Sequence, residues 1–176
     1  VRIERPADPS GWGEAYAFPG RLLRRFSASV WASLIGTYIV VYLGAYVRHT
    51  GSMAGCEGWP ACNGRIWPDM SDSAVAIAFT HRLSALILLI LIVYTAAVGF
   101  RAYGRDAVIR NSCIAAVIAV VLQILSGALV IFSLDSESAF LYSGLLHTVI
   151  VAALFAVLCY LAVLTLQWGM RRPAAS

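Results

Sequence analysis

The stretch AVAIAFTHRLSALILLILIVYTAAVGF, residues Ala74–Phe100, decides the fold. Its 27 residues contain a single charged side chain, Arg82, beside a single histidine, His81. Crossing hydrocarbon as a helix takes about 20 mostly apolar residues, because each backbone N–H and C=O must find its partner inside the segment. Three further stretches meet that length, at Ser27–Val47, Asn111–Ser133 and Leu141–Trp168. The pattern predicts an all-α integral membrane four-helix bundle. Composition agrees: 60% of the 176 residues are hydrophobic, mean hydropathy is +0.79, and 12% are charged, against about 25% in a soluble domain. The first span is longer than the apolar core of a secretory signal and follows a polar, Gly- and Pro-containing stretch, so it reads as a span.

Arginine sets the expected orientation. The chain has no lysine, and of its 13 arginines ten (Arg2, Arg5, Arg21, Arg24, Arg25, Arg101, Arg105, Arg110, Arg171 and Arg172) fall on one side of the predicted spans. Arg48 and Arg65 lie on the other side. The positive-inside rule places both termini and the 101–110 connection in the cytoplasm. The predicted organisation is an interfacial or cytoplasmic arm at 1–26, a membrane domain at 27–170 with an external loop at 48–73, and a cytoplasmic tail at 171–176. In the arm, Arg21, Arg24 and Arg25 alternate with Leu22, Leu23 and Phe26, as in a segment lying at the lipid surface. The net charge of +4 follows from topology. No continuous basic patch or soluble domain points to nucleic acid, and lipid is the expected surrounding.

Ionisable residues inside a membrane are costly and mark function. His81 and His147 lie at similar distances into the second and fourth spans, about 10 Å below the outer boundary at roughly 1.5 Å per residue. Both spans run in the same direction, so the imidazoles can face each other across the bundle axis. That disposition suits axial ligation of a heme iron. The plainer alternative is a histidine hydrogen-bonded to a neighbouring helix. Zinc is disfavoured, since two ligands are too few. Gln123, Ser126, Gly127 and Ala128 on the third span, with Gly36 and Gly44 on the first, are small or polar and would admit a flat ring. Ordinary close packing explains any one of them. Arg82 and Arg48 are candidate partners for heme propionates. Their alternatives are a pair with a loop carboxylate such as Asp72 for Arg82 and snorkelling for Arg48.

Cys56 and Cys62 bracket Glu-Gly-Trp-Pro-Ala in the external loop, and a disulfide is expected on an oxidising face, with a reactive redox pair as the alternative. Cys113 and Cys159 read as small packing residues.

Taken in order, Gly44-Ala-Tyr-Val-Arg48, Thr50-Gly-Ser52, Cys56-Glu-Gly-Trp-Pro-Ala-Cys62-Asn-Gly64, His81-Arg82, Gln123 with Gly127-Ala128, and His147-Thr148 resemble the heme A synthase family over about residues 27–168. The resemblance implies a half of a protein whose members usually have eight helices in two similar four-helix halves. Each half has a bis-histidine heme site near the outer face. One half oxidises the methyl group of heme O to the formyl of heme A, and the other holds heme b. By motif match it implies His81 and His147 as axial ligands and a Cys56–Cys62 disulfide. Two departures stand out. A single half implies a homo-oligomer or a place beside another subunit of a larger membrane complex. Ala78 occupies the position where the catalytic half usually carries a glutamate, three residues before the histidine, so no catalytic residue is assigned. The expectation is therefore a heme protein, with heme b ahead of heme O or heme A, in a bacterial cytoplasmic membrane with its site facing outward. The alternative is a b-type cytochrome subunit of a respiratory or photosynthetic complex.

Overall fold

The computed structural model describes residues 20–170. Four helices follow in order: α1 Gly20–His49, α2 Ser73–Tyr103, α3 Ala107–Phe132 and α4 Glu137–Met170, with a 3-10 turn at Ser52–Gly55 between α1 and α2. All four are long and apolar enough to cross a membrane, and the protein is an integral membrane four-helix bundle. Helices of 26 to 34 residues are about 39–51 Å long at roughly 1.5 Å per residue, more than the ~30 Å hydrocarbon thickness.

That excess explains why every helix is longer than its predicted span. Hydropathy reports only the part that sits in hydrocarbon, whereas helical hydrogen bonding continues until a cap stops it. Asp72 caps α2 by accepting from the Ala74 amide at 2.7 Å. Asp106 caps α3 by accepting from Val108 at 2.8 Å and Ile109 at 3.1 Å. Side-chain acceptance of this kind satisfies orphan amides of the first turn. Residues 20–26, expected in an interfacial arm, form the first turns of α1, and Phe26 is buried against Tyr103 at 5.4 Å between ring centroids. The rest of the predicted arm, and the tail at 171–176, lie outside the described residues.

Short connections force antiparallel neighbours. α1 packs on α2 and α4, and α3 packs on α2 and α4, so α2 and α4 stand on a diagonal and run in the same direction. One end of the bundle holds the start of α1, the α2–α3 connection and the end of α4. The other holds the 50–72 loop and the 133–136 turn. These are called the terminal end and the loop end.

The apolar core fills the terminal end. It joins Phe26 and Val30 of α1, Leu88 to Tyr103 of α2, Ile109 to Val120 of α3 and Leu154 to Ala162 of α4. Lipid is as apolar as leucine, so close fit and inter-helix hydrogen bonds hold such a core. Gly36 meets that need: a Cβ there would lie 3.3 Å from Leu88 Cδ1, which is the plain packing reading of this residue. Nearby, the Ser33 and Thr95 hydroxyls are 3.0 Å apart, and Thr95 also donates towards the Ser29 carbonyl at 3.2 Å. Outward-facing Ile35, Tyr38, Leu86, Ile87, Ile90 and Val149 are exposed, as lipid contact requires.

Candidate functional site

The core's last layer towards the loop end is Thr37, Leu88, Val120 and Leu154, one buried residue from each helix. Seven residues make close to two helical turns, so a position seven away returns to the same face. One such step towards the loop end, the corresponding residues are Gly44, His81, Gly127 and His147. A continuous apolar core would have four bulky side chains here. This layer has two imidazoles on the diagonal helices and two glycines on the others.

Each imidazole rests on a glycine of the preceding helix. A Cβ on Gly44 would fall 3.0 Å from His81 Cε1, and one on Gly127 would fall 3.2 Å from His147 Cε1. Each ring also lies beside the backbone carbonyl four residues before its glycine, Val40 for His81 and Gln123 for His147.

His147 is held at both nitrogens. Its Nδ1 is 2.9 Å from Ser126 Oγ and its Nε2 is 2.9 Å from Gln123 Nε2. The Ser126 hydroxyl donates its one proton to the Gln123 carbonyl at 2.9 Å. It therefore accepts from His147, which puts the imidazole proton on Nδ1 and the lone pair on Nε2. The Gln123 amide group donates to that lone pair. These are the inter-helix hydrogen bonds of the plainer reading, and they leave a buried atom on each side without a partner: Gln123 Oε1 and His81 Nδ1. Unsatisfied polar atoms inside a membrane-spanning bundle are costly.

Two imidazoles on the diagonal helices share this layer, each set against a glycine of the neighbouring helix, and the His147 Nε2 lone pair is met by the Gln123 amide. Among the described residues there is no cluster of three His, Cys, Asp or Glu able to hold a metal ion by itself.

The loop end is closed by the segment between α1 and α2. Cys56 and Cys62 are joined by a disulfide with Cα atoms 4.7 Å apart, and both are buried with Val75, Ala78 and Phe79 of α2. Asn63 stitches the loop, accepting from the Glu57 amide at 2.8 Å and donating to the Gly55 carbonyl at 3.1 Å. Asp69 accepts from the Ser71 amide at 3.0 Å, and that hydrogen bond holds its carboxyl below the usual carboxylate value.

Arg82 differs from expectation. Its guanidinium donates to three loop carbonyls: Nη1 to Gly58 at 2.9 Å and Ala61 at 3.0 Å, and Nη2 to Cys56 at 2.6 Å. Asp72, its considered partner, caps α2 instead. A planar fork with several fixed donors suits this task, and Arg82 fastens the disulfide loop to α2. Arg48 leaves the end of α1 and lies over the Phe140 ring of α4, 5.8 Å from its centroid. Ala78 is buried against the disulfide loop. A separate groove lined by Asn111, Ser112, Ala115, Ala156, Val157 and Tyr160 opens on the side of α3 and α4 away from the histidines.

A family model described as cytochrome oxidase assembly protein matches residues 27–78. The heme A synthase of Symbiobacterium thermophilum is 38% identical over 147 residues, covering 84% of this chain and 46% of that protein. The heme A synthase of Listeria welshimeri is 36% identical over 137 residues, covering 77% and 43%, and that of Geobacillus thermodenitrificans is 35% identical over 148 residues, covering 84% and 44%. The chain belongs to the heme A synthase family. It spans about half the length of the curated relatives it matches.

Within this heme A synthase family member, four features went unread in the sequence. Ser126 was noted only for its size, although its hydroxyl sets the proton of His147. Gly44 and Gly127 read as residues that would admit a flat ring, and the sequence does not show that each also supports one imidazole. Arg82 is a candidate propionate partner whose contacts to three loop carbonyls the sequence does not foretell. The seven-residue step from core to histidine layer would have found the glycines, while the Arg82 contacts depend on a loop conformation that local sequence does not determine.

Proposed function

We propose that this chain is a membrane heme-binding module of the heme A synthase type, in which His81 and His147 ligate one heme iron from opposite sides. The observation that carries this reading is the layer itself: two imidazoles and two glycines at the four positions where the apolar core would continue. His147 Nε2 and one nitrogen of His81 would ligate, Gly44 and Gly127 would flank the ring, and Gln123 would swing away from Nε2. Arg48, with no carboxylate against it among the described residues, is the available cation for a propionate. When bound, the heme supplies a one-electron iron couple. The chain's own residues orient the imidazoles and limit water entry from the loop end. Arginine distribution puts that layer towards the outside of the membrane.

Oxidation of heme O is the activity that the relatives' name suggests. A second reading, a b-type heme module that passes electrons or stabilises a larger membrane complex, is favoured by Ala78. Its methyl group is buried against the disulfide, and the described acidic residues lie in the loops or at helix ends, leaving no carboxylate in the histidine layer to move a proton.

Purified protein should be titrated with heme O and with protoheme, and its native pigment extracted and identified as the pyridine hemochrome. A low-spin spectrum that disappears in the His81→Ala, His147→Ala double variant supports the ligand assignment. An unchanged spectrum in that variant overturns it. Conversion of heme O to heme A by cells expressing only this chain separates the synthase reading from the electron-transfer reading.

A further inference from the structure

The two histidines sit in the same register but in different company. Measured from the supporting glycine, Gln123 is four residues before Gly127, and Val40 is four residues before Gly44. Ser126 immediately precedes Gly127, and Leu43 immediately precedes Gly44. The α3–α4 hairpin thus offers its imidazole an amide and a hydroxyl, where the α1–α2 hairpin offers two aliphatic side chains. Both His147 nitrogens are hydrogen-bonded at 2.9 Å, whereas His81 Nδ1 is buried without a partner.

We propose that Ser126 is a positioning residue that makes His147 the anchoring ligand of the iron and leaves His81 as the exchangeable one. This rests on the heme-binding reading above. A ligating imidazole is normally held by a hydrogen bond to its second nitrogen, which fixes the ring and raises its basicity. The Ser126 hydroxyl does both for His147: its proton is committed to the Gln123 carbonyl, so it can only accept from Nδ1–H. His81 lacks this support. With Nδ1 unpartnered, its ligating nitrogen would be the weaker donor, and its side of a bound heme is where a small exogenous ligand such as carbon monoxide or imidazole would enter. An iron with one firm and one releasable axial ligand has a face open to chemistry, unlike one locked on both sides.

The test uses the full chain, purified and loaded with protoheme, with three readouts: heme retained, spin state, and the rate at which heme passes to an excess of an apo-heme scavenger. His81→Ala should keep its heme in a high-spin, carbon monoxide-binding form, and His147→Ala should lose it. Ser126→Ala should release heme about 10 to 100 times faster, the usual effect of removing a supporting partner, while Ser126→Thr, which keeps the hydroxyl, should stay near wild type. Leu43→Ser should slow carbon monoxide binding by giving His81 Nδ1 a partner. Equal heme loss in both histidine variants, the reverse order, or a Ser126→Ala protein with the wild-type release rate overturns the inference. If either histidine variant fails to fold, the two Ser126 variants decide alone. Wild-type protein that takes up no heme overturns the parent reading, so the two failures are distinguishable.

Discussion

Replacing Gly127 with alanine places a methyl carbon 3.2 Å from His147 Cε1 and 3.7 Å from its Nδ1. Carbon atoms prefer separations of about 3.5–4.0 Å, so the ring must retreat by roughly 0.3–0.8 Å. It has little freedom to do so, because Ser126 and Gln123 hold its two nitrogens at 2.9 Å. A shift of that size stretches one of these contacts towards the limit of a hydrogen bond. Overpacking in a fitted interior typically costs about 1–3 kcal/mol. At about 1.4 kcal/mol per decade, heme affinity should fall by roughly 5- to 150-fold. The apo bundle meets the same contact, offset in part because alanine favours helix over glycine by about 1 kcal/mol. Heme titration monitored by absorbance gives the affinity, and thermal unfolding of the apo protein serves as the control. Gly44→Ala is tighter, at 3.0 Å from His81 Cε1, yet it crowds the ring with a free nitrogen and should mainly raise the high-spin fraction. A Gly127→Ala protein with wild-type affinity and spectrum would refute the placement of the ring.

Further outcomes follow from the loop and the terminal-end core. Arg82→Ala should release the 56–61 segment, seen as faster hydrogen exchange there with the helices unchanged, and Arg82→Lys should not restore it because an ammonium lacks the planar fork. In protein alkylated without reduction, Cys56 and Cys62 should stay unmodified, with labelling appearing only after reductant, and reduction should loosen the loop more than the bundle. Gly99→Leu should destabilise the bundle without altering the heme spectrum, since even a Cβ there would meet Phe26 Cε2 at 2.7 Å and Cys113 Sγ at 2.8 Å, far from the histidine layer. An impermeant thiol reagent should label Asp135→Cys from outside intact cells and label Arg105→Cys only after lysis.

What the sequence makes legible depends on how local the physics is. The spans are local, because apolar length alone satisfies the bilayer, and Ala74–Phe100 announces its helix without reference to anything else. The histidine pair is nearly as plain, since position along a helix translates directly into depth. The caps at Asp72 and Asp106 lengthen helices beyond their hydrophobic runs by a rule of hydrogen bonding that hydropathy does not count. The loop contacts of Arg82 are hidden for a different reason. A charged group within a span needs some partner, and the sequence cannot say that three backbone carbonyls of a folded loop will supply it. Ser126 shows the same limit, because a serine in a small-residue run looks like packing until its proton is traced to the Gln123 carbonyl.

The most direct measurement is the low-temperature electron paramagnetic resonance spectrum of the ferric, heme-loaded protein, taken for wild type and for the His81→Ala and His147→Ala variants. Two imidazoles on one iron predict a low-spin signal in wild type that is absent from each variant. A low-spin signal persisting unchanged in either variant, or a wild-type signal that is entirely high-spin, would contradict the shared-iron layer.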